Sequence, residues 1–583
     1  MSEFFLELFS EEIPSKLQVN ARKSLSENLR KFFEENEVSI KGKLNVYSTP
    51  NRLVVHIDKI KKKVSKRSEE IRGPNINASS QALKGFARSN NVKMAQIFKK
   101  KTEKGEFYFY KRPSQKINTA DLIRKNIANI LSRILWHKSM KWGNHNLFWG
   151  RPLKSILSIF DGKKIDFNFN HLKSKNRTFV DKELEEKTKI FNNFKSYKSY
   201  FKSLGVIIDH EKRELFISNE LTKLSNKKKL KINLKKELLE EVANLVEKPK
   251  ILLCEFDKKY LIIPKEILII TMQNHQKYFP TFDKKEDLTN NFFVVADTKD
   301  PKGLIKLGNE RVIDARLNDA DFFWKRGRSQ NLVKQISRLK NINYFKGLGS
   351  YFDKVQRVRK LCGLISDEML ISKEKIEIAA SICKVDLMSD LVSEFPELQG
   401  TMGGYFAEVQ GFDKEISLAV SEHYFPIGMD STVPKKPYSI ALSLSDKLDS
   451  LVGFFGIKLK PSSSKDPYAL RRMAISLVRL IIENNKHFRL KDLINYSCML
   501  YKDQGFEFDI KLLQKDLIEF ILERLKNYLK EKKIRNDIIE SSTNIFNLDN
   551  ILQVFKKSVA LNKNIGKDLG QDVISIYKRS SNI

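Results

Sequence analysis

The chain has 583 residues, too many for one hydrophobic core, so three or four domains are expected. Hydrophobic residues make up 41% and aromatic residues 10%, which excludes a disordered chain. Lys and Arg number 107 against 71 Asp and Glu, a formal charge of +36 that points to a polyanionic partner. The bland alternative is compositional drift toward lysine, since Lys, Asn and Ile are all abundant.

Taken in chain order, FFLELF (4–9) reads as a first strand, and Leu17, Ala21, Leu25, Leu29 and Phe32 recur on one helical face. Strands are expected at NRLVVHI (51–57) and EFYFYKR (106–112), with a Gly-Pro break at IRGPN (71–75) and a helix over 118–136. KSMKWGNHNLFWGRP (138–152) is aromatic and basic at once. Trp142, Phe148, Trp149 and Arg151 either stack on unpaired bases or anchor a core, and the second reading is favoured. Strands are expected at ILLCEF (251–256), YLIIP (260–264) and NFFVVAD (291–297), and from about 331 the pattern is almost wholly helical.

The acidic start of the chain, MSEFFLELFSEE, has no basic region before its short apolar run, so no signal peptide is expected. No apolar run reaches spanning length, and a soluble, cytoplasmic protein is expected. Cys254, Cys362, Cys383 and Cys498 are scattered without a CxxC pair, which argues against zinc and for buried thiols.

Few residues carry an obvious chemistry. Asp319 and Asp321 in LNDADFF would share a face only on a strand, where they could hold Mg²⁺ for nucleotidyl transfer; the region reads as a helix, which splays them. A metal-dependent phosphohydrolase of the HD type needs a histidine, an adjacent His-Asp pair and a distant Asp. Asp446 stands where the last Asp should lie, but Lys384 and Val385 in CKVDL occupy the place of His-Asp and cannot ligate a metal. No metal site is therefore expected. His275 in TMQNHQKYF is the histidine that most invites a role, although an isolated histidine is more often structural. SEFPELQGTMGGYF (393–406) is no P-loop; its glycines are expected to end one helix and to let backbones approach closely.

A series of local matches in order gives the chain a family. They include FLELFSEEIPSK (5–16), YSTPNRL (47–53), KSMKWG (138–143), LLEEVANLVEKP (238–249), TMQNHQKYFP (271–280), LGNERVIDARLNDADFF (307–323), CKVDLMSDLVSEFPELQGTMGGYFA (383–407) and SSSKDPYALRR (462–472). Through these the chain resembles the beta subunit of the bacterial heterotetrameric glycyl-tRNA synthetase. The resemblance implies an α+β multidomain fold: an N-terminal mixed α/β region (1–205), a β-rich α+β domain (206–335), a helical degenerate HD-like domain (336–510) and a partial, helical anticodon-binding domain (511–583).

It also implies a division of labour. An alpha subunit, in an alpha2beta2 tetramer, binds ATP, Mg²⁺ and glycine and makes the adenylate; the beta subunit grips tRNA(Gly) and binds no cofactor of its own. Arg311, Arg316, Arg471, Arg472, Lys578 and Arg579 are then candidates for phosphate contact, with structural ion pairs as the alternative. Lys138, Lys141 and Trp142 are candidates for the acceptor arm. No catalytic residue is expected in this chain. Two departures stand out: a GHRF-like motif is reduced to KNRTF (175–179), and the chain stops at YKRSSNI (577–583), so the end of the anticodon-binding domain is expected to be lacking. The competing readings are a freestanding RNA-processing enzyme, using Asp319/Asp321 or Asp446, and a non-catalytic RNA-binding assembly protein.

Overall fold

The computed structural model describes all residues except 67–68, 103–104, 113–114, 182–186, 463–464, 544–549 and 582–583. Two compact units emerge: Met1–Lys258 with Met272–Asp314, and Lys259–Thr271 with Ala315–Ile583.

The first unit is built on an antiparallel sheet of five strands, in the order Lys163–Lys164, Leu153–Phe160, Ser2–Ser10, Arg52–Ile60 and Leu44–Thr49. The first strand is central, and both its faces are buried, which is why FFLELF is apolar almost without alternation. Phe4, Leu6 and Leu8 face the helices Ser15–Glu35 and Thr119–Ser132, whose Leu17, Ala21, Leu25, Leu122 and Ile127 join one core. Phe5 points the other way, onto Phe194, Tyr197 and Phe201 of the helix Phe194–Ser203. Glu7 shares that second face and pairs with the equally buried Arg52 at 3.3 Å. The guanidinium lies 4.6 Å from the Phe9 ring centre and 4.5 Å from that of Phe201. Burial nevertheless pushes the Glu7 carboxyl up to about 7.

Further along, Gly105–Arg112 pairs with Glu69–Asn75 and Ile97–Thr102, as the EFYFYKR pattern leads one to expect. A four-stranded sheet then follows, in the order Lys231–Ile232, Phe279–Phe282, Leu288–Ala296 and Lys250–Glu255. YLIIP is not the strand that its composition suggests. Residues Lys258–Ile262 form a 3₁₀ turn, with Tyr260 and Ile263 buried while Leu261 and Ile262 are 38% and 74% exposed. Burial at a spacing of three follows the turn of a helix, and Pro264 then leads directly into the helix Lys265–Ile270.

The second unit is helical among its described residues, apart from the short hairpin Asn343–Phe345 and Gly349–Ser350. Its axis is the helix Pro437–Gly456, buried on every side from Ser439 to Phe455. Around it pack Tyr351–Met369, Lys414–Glu422, Leu470–Glu483 and Leu490–Asp503.

GTMGG corrects the sequence reading. It opens the helix Thr401–Val409, with Gly400 as its N-cap at φ 81°, and does not end the one before. Close approach, by contrast, is real: a Cβ on Gly404 would lie 2.6 Å from Ser421 Cβ and 2.7 Å from the Ser417 carbonyl oxygen. Gly404→Ala must therefore separate two packed helices, and should destabilise the protein by about 1–3 kcal/mol in denaturant unfolding. Gly308→Ala, in a helix with nothing within 4 Å, should be neutral or stabilising by up to about 1 kcal/mol. Equal effects of the two would contradict this packing.

Candidate functional site

The central helix sets the site. Its turn from 443 to 450 places Ser443, Asp446, Lys447, Asp449 and Ser450 in the interior of the helical unit, all buried. Charges cannot be left alone in such a place, so each must find a partner. The helix Tyr351–Met369, held at its start by a Ser350–Asp353 capping box, brings Lys354 and Arg357 to face it. Arg357 grips Asp449 with both arms, Nε to Oδ1 at 2.7 Å and Nη2 to Oδ2 at 3.3 Å.

Asp446 lies between two ammonium groups. Lys384 Nζ donates to Oδ2 at 3.0 Å, and Lys354 Nζ stands 3.1 Å from Oδ1. The Lys354 contact is ionic without hydrogen-bond alignment; that ammonium donates to Ser450 Oγ at 2.7 Å. Burial alone would raise the Asp446 pKa, but Lys354 and Lys384 outweigh it and hold the carboxyl well below the usual range. The same attraction raises both lysines above their ordinary value against the pull of burial.

Lys384 has a second partner, His423 Nε2 at 2.9 Å. His423 Nδ1 faces the Val420 carbonyl oxygen at 2.6 Å. A carbonyl only accepts, so we assign the proton to Nδ1 and the lone pair of Nε2 to Lys384. Burial and the Lys384 charge keep this imidazole neutral, its pKa well below 6.5. The ammonium also lies 3.9 Å from the centre of the Tyr424 ring. An imidazole nitrogen and a carboxylate oxygen thus flank one cation, and that cation belongs to the protein.

Two neighbours complete the centre. Lys447 donates to Ser443 Oγ at 2.8 Å and to the carbonyls of His423, Tyr424 and Phe425 at 3.1–3.2 Å. Burial, helped by repulsion from Lys384 and Lys354, lowers its pKa to about 7. Asp386 accepts the backbone N–H groups of Gly400 and of Gly403, the latter at 3.2 Å. Burial pushes its carboxyl up to about 6 despite those bonds. The glycine-rich stretch therefore serves a carboxylate of its own chain, because a Cβ at Gly403 would lie 3.2 Å from Asp386 Oδ2.

Of the residues singled out in the sequence, Lys384, Asp446 and Arg472 meet at one cavity of about 540 Å³ inside the helical unit. Val385 is buried beside it and supplies no polar atom. Arg472 is exposed at the wall, and Arg471 turns to the Ser462 carbonyl. Arg311 and Arg316 are exposed on the helix Leu304–Ser329, and Arg579 on Asp568–Ser581; the Lys578 side chain lies outside the described residues.

Lys138 and Lys141 are exposed, with Lys141 Nζ 4.7 Å from the ring centre of Phe148, itself 59% exposed. Trp142 is half-buried against the first core, and Trp149 is wholly buried beside Trp136 at 5.0 Å. The core reading thus holds for Trp149 and not for Phe148.

Asp319 and Asp321 lie on a helix, about 200° apart around its axis. Asp321 pairs with Lys325 at 2.6 Å. His275 is exposed at the end of a π-turn. Among the described residues no group of three or more His, Cys, Asp or Glu is placed to hold a metal ion. Sequence reasoning missed Lys354, Lys447 and above all His423, which no spacing ties to residues 384 and 446.

Fold and centre together define the class: an α+β chain whose sheets, one short hairpin apart, lie in its N-terminal half among the described residues and whose helical half is organised around ion-paired lysines. Comparison with known proteins narrows this. The family model described as glycyl-tRNA synthetase beta subunit matches residues 4–544. The glycine–tRNA ligase beta subunit of Rickettsia canadensis (strain McKiel) is 37% identical across all of this chain and 86% of its own length. Those of Rickettsia conorii and Rickettsia prowazekii are each 36% identical, over all of this chain and 85% of theirs. The chain belongs to the glycyl-tRNA synthetase beta subunit family.

The coupling inside the centre is measurable. Lys384→Met leaves Asp446 one ammonium short and should cost about 3–5 kcal/mol in denaturant unfolding. Adding Asp446→Leu should cost less than the single effects sum to, by at least about 1 kcal/mol. Additivity within about 0.5 kcal/mol would contradict the pair.

Proposed function

We propose that this chain is the tRNA-gripping subunit of a glycine–tRNA ligase. It holds tRNA(Gly) while an alpha subunit, assembled with it as alpha2beta2, makes the adenylate from glycine, ATP and Mg²⁺ and transfers the glycyl group. The setting of that reaction is the cytoplasm, and no described helix is long and apolar enough to cross a membrane. The observation that carries the reading is charge without chemistry. A formal +36 is spread over a molecule whose best candidate catalytic centre is closed by its own lysine.

Both forms of the rival enzymatic reading lose their residues. A phosphohydrolase needs a metal where Lys384 Nζ lies between His423 and Asp446. A nucleotidyltransferase needs two aspartates on one face, and Asp319 and Asp321 do not share one. The helical unit is read as an HD-like scaffold turned to a binding role, with residues 511–583 as part of an anticodon-binding domain. The segments 1–205 and 206–335 complete that division. Exposed Arg311, Arg316, Arg472 and Arg579 supply phosphate contacts on this reading, and Lys138, Lys141 and Trp142 contact the acceptor arm.

The purified chain should bind tRNA(Gly) with an affinity that falls roughly a thousandfold or more between 50 and 200 mM salt, as for six or more phosphate contacts. It should catalyse no glycine-dependent ATP–pyrophosphate exchange until the alpha subunit is added. Exchange by the chain alone, or binding indifferent to salt, would overturn the proposal.

A further inference from the structure

The cavity over the lysine-filled centre has its own chemistry. At about 540 Å³ it falls in the range that encloses small organic ligands. Its ionisable lining is Lys354, Lys384, Lys447 and Arg472 against Asp446 and Glu397, so three cations, with Lys447 titrating at about 7 as a fourth basic group, face two carboxylates. Asp446 is already held by Lys354 and Lys384, which removes most of its repulsion toward an incoming anion. Arg472 is exposed and, among the described residues, has no ion pair or hydrogen bond, so its planar fork is open.

Much of the remaining wall is aromatic or apolar, Tyr344, Tyr351 and Tyr424 with Phe425, Ile427 and Met473, and it is interrupted by the polar Gln399, Thr401, Ser450 and Ser476. The three tyrosines are half-buried at the cavity wall, and Lys354 and Lys384 already lie 4.6 and 3.9 Å from the ring centres of Tyr344 and Tyr424. A free guanidinium at one side of an aromatic-walled pocket suits a ligand with a planar ring at one end and a phosphate at the other. Lys447 reinforces the preference, because burial holds its pKa near 7 and an anion nearby would favour its charged form. The Lys384 ammonium supplies the fixed positive charge that such pockets otherwise take from a divalent ion.

We propose that this cavity binds a nucleoside monophosphate, either free or as an unpaired nucleotide of an RNA, with its phosphate on Arg472, its base against the tyrosines and no metal ion. The site would act as a binding pocket, without bond making. It goes beyond the tRNA-gripping reading and stands without it, since a free mononucleotide would suffice.

The test is calorimetric titration of the full chain in EDTA. The probes are AMP, GMP, CMP and UMP, a 5′-phosphorylated single-stranded ribotetranucleotide, and adenosine and inorganic phosphate as the separated halves. At least one mononucleotide, or the tetranucleotide, should bind one-to-one, with adenosine and phosphate at least tenfold weaker. Arg472→Ala, at an exposed position where folding is not at stake, should weaken binding about tenfold, the value of one charge-assisted contact. Met473→Trp should fill the cavity and abolish binding with the unfolding midpoint unchanged.

Binding of mononucleotides identifies a free nucleotide as the source; binding of the tetranucleotide alone identifies RNA. Failure of both ligand classes, phosphate binding as tight as any nucleotide, or full binding in Arg472→Ala or in folded Met473→Trp would overturn the proposal. Retained tRNA(Gly) binding in parallel would then show that only the pocket assignment had failed. Mononucleotide binding without tRNA binding would sink the tRNA reading alone.

Discussion

A buried ammonium group, Lys384 Nζ, organises the helical half of this protein. It lies 2.9 Å from an imidazole nitrogen and 3.0 Å from a carboxylate oxygen, the kind of donors that would otherwise surround a divalent ion. Placing one positive charge there fixes much around it. Asp446 must stay ionised to neutralise it, His423 must stay neutral to accept from it, and Lys354 must come close to share the carboxylate. Arg357 and Asp449 extend the same alternation of charge to Gln504, which accepts from Arg357 Nη1 at 2.6 Å. The centre is an ion lattice built of side chains, in which each buried charge lies against a charged or polar neighbour.

This arrangement separates the protein's positive charges into two kinds. Interior cations are matched to carboxylates, carbonyls or aromatic faces and are spent on the fold. Exposed arginines such as Arg311, Arg316 and Arg472 carry no such partner among the described residues and leave their field outside. Long-range attraction for a polyanion is what such a surplus produces. The chain belongs to the glycyl-tRNA synthetase beta subunit family, and in the function proposed above tRNA is the object of that surplus and the closed centre leaves the chemistry to an alpha subunit.

The sequence disclosed the parts of this picture whose signal is local. FFLELF and the Leu17–Phe32 spacing reveal a strand and a helix because periodicity is a neighbour-to-neighbour property. Lys384 and Val385 show the loss of metal ligands because the residue types alone decide it. What stayed hidden depends on distant segments meeting. His423 reaches Lys384 across 39 residues and Asp446 reaches it across 62, and no spacing rule joins them. GTMGG was misread for a related reason: its amides look idle until Asp386, 14 residues earlier than Gly400, is seen to occupy them. YLIIP failed because a short apolar run fits a strand or a turn of helix equally well, and only the burial of Tyr260 and Ile263 distinguishes them.

The claim that a lysine stands in for an ion is most directly tested by anomalous diffraction from crystals soaked in manganese chloride. The account predicts no anomalous peak between His423 Nε2 and Asp446 Oδ2, with density there continuous to Lys384 Nζ. A manganese peak at that position, with the lysine swung aside, would contradict it.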